Sequence, residues 1–308
     1  MISQLPLLIS GGSGFVGLNL INYLVNFNYE INILVRKDST SKFRPQLISH
    51  NVYYHFIDNN FESINAVISK KKPLIVIHIA SLYINNHTSD DILNLINSNI
   101  LFASYLLESM RINSVVNFIN TGTSWQHVNE FRNNPVNFYA STKNAFDSIL
   151  DYYVDAYNLK VINLKLYDTY GIGDKRKKLI NIIINHLIND NHLYLDMSLG
   201  DQLLDMVYID DVVKAYEICI NLLLNMDKRN YVNKQNFDLS SNQHFSIKSI
   251  IQLIEKISNK KLKIRFGALE YRFREVMTPN IGYNLPCWEA SVTLNEGLYK
   301  ILKYNNLI

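Results

Sequence analysis

Tyr139 and Lys143 stand four residues apart in Tyr139-Ala140-Ser141-Thr142-Lys143, near the start of a predicted helix over 138–157. Residues at i and i+4 share a helix face, so phenol and ammonium point the same way. A cation beside a phenol lowers its pKa and makes it a usable acid or base near neutral pH. With 20 tyrosines in the chain, the spacing alone is weak. It gains weight from Thr121-Gly122-Thr123-Ser124-Trp125, which follows a predicted strand and presents hydroxyls suited to holding a substrate oxygen. Any one of these threonines, taken singly, reads as well as a loop cap.

A second constellation opens the chain. Leu7-Leu8-Ile9-Ser10-Gly11-Gly12-Ser13-Gly14-Phe15-Val16-Gly17 runs from an apolar strand into glycines spaced G-x-x-G-x-x-G. An amphipathic helix follows, with Val16, Leu20, Leu24 and Phe27 on one face. Strand, glycine turn and helix set bare amides and a helix N-terminus against a pyrophosphate. Gly11 serves the tight turn, Gly14 the approach of phosphate to backbone, and Gly17 the close packing of helix on sheet. About 20 residues further on, a carboxylate is expected to accept bonds from ribose hydroxyls. Val35 stands there instead, and Arg36-Lys37 follow. A cation at that place suits a 2′-phosphate, so NADP(H) is expected over NAD(H). The plainer alternative is two surface cations at a strand end.

These groups need a scaffold that brings them to one edge. Apolar runs over 31–35, 52–57, 74–80, 115–120 and 161–166 read as further strands, with helical periodicity between them, notably over 91–110 and 138–157. Strands buried on both faces and separated by helices make a Rossmann-type α/β fold with a doubly wound parallel sheet. From Gly171 onward the alternation loosens, and aromatic and basic residues cluster over 266–277. The expected organisation is a cofactor-binding domain over 1–166, to which 203–241 returns. A smaller mixed lobe over 167–202 and 242–308 then lies above the sheet's carboxyl edge, where such folds bind ligands.

Composition removes other classes. The chain has 308 residues, 48% hydrophobic and 19% charged, with a net charge of +3. That charge is too small to argue for nucleic acid, and no long basic stripe interleaves with aromatics. The short run Lys175-Arg176-Lys177-Lys178 is a solvated face or a phosphate contact. Two cysteines form neither a disulfide framework nor a metal cluster, so a reducing cytoplasm is expected and no metal. The N-terminus lacks the basic region of a signal peptide, and no apolar run approaches the ~20 residues that span a bilayer.

The glycine motif, His78-Ile79-Ala80-Ser81, the hydroxyl cluster and the Tyr139/Lys143 pair together resemble the extended short-chain dehydrogenase/reductases. Tyr167-Asp168-Thr169-Tyr170-Gly171-Ile172-Gly173-Asp174 and Asp205-Met206-Val207-Tyr208-Ile209-Asp210-Asp211-Val212-Val213 resemble two later signatures of that family, in order and spacing. Asn120-Thr121-Gly122-Thr123-Ser124-Trp125-Gln126-His127 and the segment from Phe266 to Met277 are similar to bacterial nucleotide-sugar 4-ketoreductases, the group that includes CDP-abequose synthase. The resemblance implies deoxysugar chemistry on a nucleotide sugar, with NADPH, for surface polysaccharide. It implies Thr123, Tyr139 and Lys143 as catalytic residues. Gly11, Ser13, Gly14, Phe15, Val16, Gly17, Arg36, Asp58 (near the adenine), Ala80, Lys143 and Tyr167 are implied on the cofactor. Ser124, Trp125, Arg176 and Arg272 are implied on the substrate, with Arg272 on its diphosphate and Asn99 holding the site together. It also implies a homodimer through the two long helices.

Departures narrow the reaction. A 4,6-dehydratase needs an Asp-Glu pair after the catalytic Thr, and Ser124 and Trp125 stand there. Leu204 replaces the usual substrate Arg before Asp205, and Asp168 replaces a common Asn near the diphosphate, with Arg176, Lys177 or Arg274 to compensate. Three readings remain: a 4-ketoreductase, a 4-epimerase with tightly held NAD, and a regulatory protein that binds NADP without turnover.

Overall fold

Near-continuous apolar runs form the first strands, and the amphipathic stretches between them form the covering helices. A computed structural model describes residues 4–37, 49–127, 134–189, 193–225, 233–280 and 282–308. β1 (Leu5–Ser10), α1 (Phe15–Leu24), β2 (Tyr29–Arg36), β3 (Val52–Ile57), α2 (Phe61–Lys71) and β4 (Ile75–His78) come first. Then follow α3 (Ile92–Ile96), α4 (Phe102–Ile112), β5 (Asn117–Thr123), α5 (Phe138–Tyr157) and β6 (Lys160–Leu166). The remainder is β7 (Asp168–Tyr170), α6 (Leu179–Ile188), β8 (Leu195–Met197), β9 (Leu203–Tyr208), α7 (Ile209–Asn225), β10 (Lys234–Leu239), β11 (His244–Ser246), α8 (Ile247–Ser258), β12 (Ile264–Phe266) and α9 (Leu294–Tyr304).

Seven strands pair in parallel in the order β10-β6-β5-β4-β1-β2-β3. Successive side chains alternate across the sheet. Leu7, Ile9, Ile31 and Ile33 therefore pack with α1 and α7, while Leu8, Leu34 and Val76 pack with α2, α4 and α5. Strand order reverses between β1 and β4, which opens a crevice at the carboxyl ends of the strands. Beyond the sheet, β9 pairs parallel with β7 and antiparallel with β11, and β12 pairs with β8. No helix among the described residues is long and apolar enough to cross a membrane.

Several expected boundaries move, each for a local reason. The fourth strand stops at His78, because the amides of Ile79 and Ala80 both turn onto the Ser10 carbonyl, at 3.1 and 3.2 Å. The fifth runs on to Thr123, whose backbone pairs with Leu166. Helix α1 ends at Leu24, and Phe27 lies past it with its amide on the Leu24 carbonyl. The single helix expected over 91–110 is a helical run interrupted by a π turn at Asn97–Leu101, where Asn99 is driven inward and fully buried.

Two of the later signature acids turn out to hold the chain together. Asp211, buried at the head of α7, accepts the amides of Ser291 and Val292 at 2.9 and 2.8 Å. Asp205, buried in β9, accepts the amide and hydroxyl of Ser241 at 2.8 and 2.7 Å. Both carboxylates fasten segments distant in sequence.

Candidate functional site

The glycine turn is shaped by close approach of backbone to backbone. Gly11 has φ +81°, and a Cβ there would fall 2.4 Å from the Ala80 nitrogen. A Cβ at Gly17 would fall 2.2 Å from the Gly11 carbonyl oxygen. Gly17 thus lets the helix pack on the turn itself, where packing on the sheet was expected. Gly14 N-caps α1, and no side chain there takes up the first-turn amides. A Cβ on Gly14 would meet only the Gly11 oxygen, at 3.4 Å. An open turn with uncapped helix amides fits a pyrophosphate.

This turn forms one wall of a cavity of about 890 Å3, on which Ser13, Phe15 and Val16 also lie. Arg36 and Val35 bound it at the end of β2, and Ala80 and Ser81 at the end of β4. Asp58, expected near an adenine, pairs with Lys37 at 2.7 Å, and its neighbour Asn59 supplies the wall. Gly17 lies beneath the turn, off the wall.

Thr123, Tyr139 and Lys143 converge on the same cavity from β5 and α5. Asn137 caps α5 by accepting the Ala140 amide at 3.0 Å, which fixes the turn that carries Tyr139. The buried Lys143 Nζ donates to the Thr121 carbonyl at 3.0 Å. Burial pulls its ammonium down to about 8, with Asp147 one turn on working the other way. Burial also holds the Tyr139 phenol above its ordinary value, against a hydrogen bond with Ser81 and the charge of Arg176. The expected lowering by Lys143 is therefore not what sets this phenol: the ammonium is drawn onto a backbone carbonyl, and desolvation dominates. The raised phenol keeps the proton a donor needs, and is the weaker acid for it.

The threonines divide their work. Thr121 shares a 2.7 Å hydrogen bond with the Tyr216 hydroxyl behind the sheet, a structural role. Thr123 caps the short turn Ser124–Gln126, its Oγ1 accepting the Trp125 amide at 3.3 Å. That oxygen still carries a hydrogen to give to a substrate oxygen. Asn99 clamps the loop after β4 to α5. It accepts the Leu82 amide at 2.8 Å and donates to the Leu82 carbonyl at 3.0 Å and to Thr142 Oγ1 at 2.9 Å.

A second cavity of about 290 Å3 adjoins the first, and Ser124, Trp125, Tyr167 and Asp168 stand on both. Arg272 and Arg274 line it from the loop after β12. The Arg272 guanidinium lies 5.6 Å from the Trp125 ring centre and 3.4 Å from Glu275. Arg176 lies on the first cavity instead, held by Asp174 at 2.8 Å and placed over the Phe15 ring at 4.7 Å. Tyr167 donates to the Asn280 carbonyl at 2.8 Å. Burial raises the Asp168 carboxyl, and Lys178, 3.9 Å away, opposes it.

Sequence reasoning missed Tyr83, which meets Tyr139 edge-on at 5.1 Å and Trp125 at 5.9 Å and lines both cavities. It sits in the irregular link between β4 and α3, where no periodicity marks it. Lys178, read only as part of a basic run, also lines both cavities.

Sheet order, glycine turn and the Thr/Tyr/Lys face define an α/β dinucleotide-binding fold of the short-chain dehydrogenase/reductase type. Residues 7–233 match the NAD dependent epimerase/dehydratase family, and the chain belongs to that family. It is 30% identical to the CDP-abequose synthase of Yersinia pseudotuberculosis over 278 residues, covering 90% of this chain and 92% of that one. It is 23% identical to the dTDP-4-dehydro-6-deoxyglucose reductase of Escherichia coli, covering 96% of each. In fold it is similar to the UDP-glucose 4-epimerase of Thermotoga maritima solved with UDP-glucose, with a TM-score of 0.82 and 19% identity over 98% of this chain and 99% of that one.

Proposed function

We propose that the chain is an NADPH-dependent reductase of a nucleotide-activated 4-keto-6-deoxy sugar, acting at C4 in the making of a deoxysugar for surface polysaccharide. The observation that carries this reading is the convergence of Thr123, Tyr139 and Lys143 on the cavity that begins at the glycine turn, with no acid at positions 124 and 125. The two curated relatives named above, a CDP-abequose synthase and a dTDP-4-dehydro-6-deoxyglucose reductase, support it.

Gly11, Ser13, Gly14, Phe15 and Val16 would hold the cofactor's pyrophosphate, Arg36 its 2′-phosphate and Lys143 its ribose. When bound, the nicotinamide supplies a hydride for C4. Thr123 donates a hydrogen bond to the C4 oxygen and fixes it beside Tyr139. As that oxygen gains charge, Tyr139 gives it the phenolic proton, and the ketone becomes an alcohol. Lys143 keeps a positive charge behind the phenol while the proton leaves. Trp125, Tyr83 and Arg272 would face the substrate's sugar and nucleotide from the second cavity.

Loss of nicotinamide absorbance, followed with NADPH and NADH against CDP-, dTDP-, GDP- and UDP-4-keto-6-deoxy sugars, tests the proposal. Stoichiometric NADPH oxidation with one sugar is expected. An isomerised sugar without net oxidation turns the reading to a 4-epimerase, and silence on both counts overturns it. A homodimer is part of the proposal, supported by Leu93, Ile96 and Tyr152, which α3 and α5 leave exposed. Light scattering that reports a monomer at micromolar concentration overturns that part.

A further inference from the structure

Gln126 is 1% exposed, and its side chain joins the Thr123 turn to α5. Its Oε1 accepts the Thr123 amide at 2.9 Å. Its Nε2 donates to Asn144 Oδ1 at 3.0 Å and to Asp147 Oδ2 at 3.1 Å, and its backbone carbonyl accepts Asn144 Nδ2 at 3.0 Å. Asp147 is fixed in turn by Asn163 Nδ2 at 2.9 Å and Lys234 Nζ at 3.4 Å. Gly122 makes room for the amide, since a Cβ there would fall 2.6 Å from Gln126 Oε1. Asp147 lies four residues beyond Lys143 and eight beyond Tyr139, on the face of α5 that carries both.

The two halves of the candidate site reach it by different routes. Thr123 arrives at the end of β5, whereas Tyr139 and Lys143 arrive on α5, and residues 128–133 between them lie outside the described residues. The Gln126 side chain is a direct bond between those routes. We propose that Gln126, anchored by Asp147, is a positioning residue that fixes the Thr123 hydroxyl against the Tyr139/Lys143 face. A misplacement near 1 Å at such a site costs on the order of 100-fold in rate. A glutamine is suited to this place because it offers one acceptor to the amide and two donors to α5.

The inference rests on the proposed reaction, and the test separates the two. Gln126→Glu sets a second carboxylate against Asp147, whereas Gln126→Glu/Asp147→Asn removes that repulsion and swaps donor and acceptor at residue 147, with Asn144 Oδ1 left facing a carboxylate oxygen. With the sugar that wild type reduces, Gln126→Glu is expected to lose about tenfold or more in kcat while NADPH affinity, read by fluorescence, holds within about twofold. The double variant is expected to regain part of the lost kcat. The uncharged Gln126→Met, offered in case the buried charge blocks folding, is expected to lower kcat with NADPH affinity kept and to speed hydrogen exchange at the Thr123 amide. Wild-type kcat in Gln126→Met, or a double variant as slow as Gln126→Glu, overturns the inference. If wild type turns over no sugar, the reaction assignment fails. The exchange rate of the Thr123 amide then decides whether Gln126 holds the turn, and an unchanged rate overturns the inference.

Discussion

The two cavities are built from different materials. Along one side the first is framed by a glycine turn, a helix terminus and the ends of β2 and β4. The second is lined by long side chains, of which Arg272 and Arg274 are its own and Trp125, Tyr83 and Lys178 are shared with the first. The turn beside the first is tight at Gly11 and Gly17, where an added Cβ would meet backbone, and open at Gly14. A wall of long side chains is adjustable and loses little when one is trimmed. Under the proposed function, cofactor binding would fall to the first region and substrate choice to the second.

The sharpest challenge to that division lies where the first cavity depends on one side-chain atom. Tyr139→Phe removes the proton donor and leaves the turn untouched. Turnover is expected to fall by roughly 10²–10⁴-fold with NADPH affinity unchanged. A fall in affinity of similar size would show the phenol to be part of the binding wall. The neighbouring Lys143 adds a pH dependence. Its ammonium sits near 8, so the charge is present below that pH and is lost as pH rises through it. The pH profile of kcat/KM is expected to fall on the alkaline side near that value.

The rigidity itself is probed at Gly17. An added methyl would lie 2.2 Å from a carbonyl oxygen of the backbone, an atom with no freedom to step aside. Gly17→Ala is expected to cost about 1–3 kcal/mol in stability, read by denaturant unfolding, and to weaken NADPH binding with it. Wild-type stability would mean that the turn yields after all. Arg36 offers a smaller and more selective effect, because under the proposed function it would meet only the phosphate that distinguishes the two cofactors. Arg36→Ala is expected to reduce the preference for NADPH over NADH by about tenfold, with NADH use unchanged. An equal loss for both cofactors would place Arg36 on the shared part of the dinucleotide.

The same division governs what the sequence reveals. Gly11 and Gly14 beside β1, and the Tyr139/Lys143 spacing on α5, are set by local periodicity, so pattern and position expose them. The π turn at Asn97–Leu101 is invisible to a helical pattern, and Asn99 becomes a clamp only once Leu82 and Thr142 stand beside it. Asp205 and Asp211 stand in segments that resemble family signatures, yet their partners, Ser241 and Ser291, lie 36 and 80 residues away and carry no local signal. Tyr83 and Gln126 fall in the same group. Their meaning is a pairing between distant segments, and only the fold supplies it.

The smallest effect is expected in the second cavity, and that modesty is what would confirm its character. Arg272 is half exposed and divides its guanidinium between Glu275, Asn85 and the face of Trp125. The guanidinium itself reaches water, so water takes over much of what its loss vacates, although Glu275 is only 12% exposed. Arg272→Ala is expected to raise KM for the nucleotide sugar by about threefold to tenfold, to leave kcat within about twofold, and to make KM less sensitive to salt. An additional loss in kcat comparable to that of Tyr139→Phe would mean that Arg272 helps orient the sugar for reaction. The second cavity would then belong, with the first, to the rigid machinery.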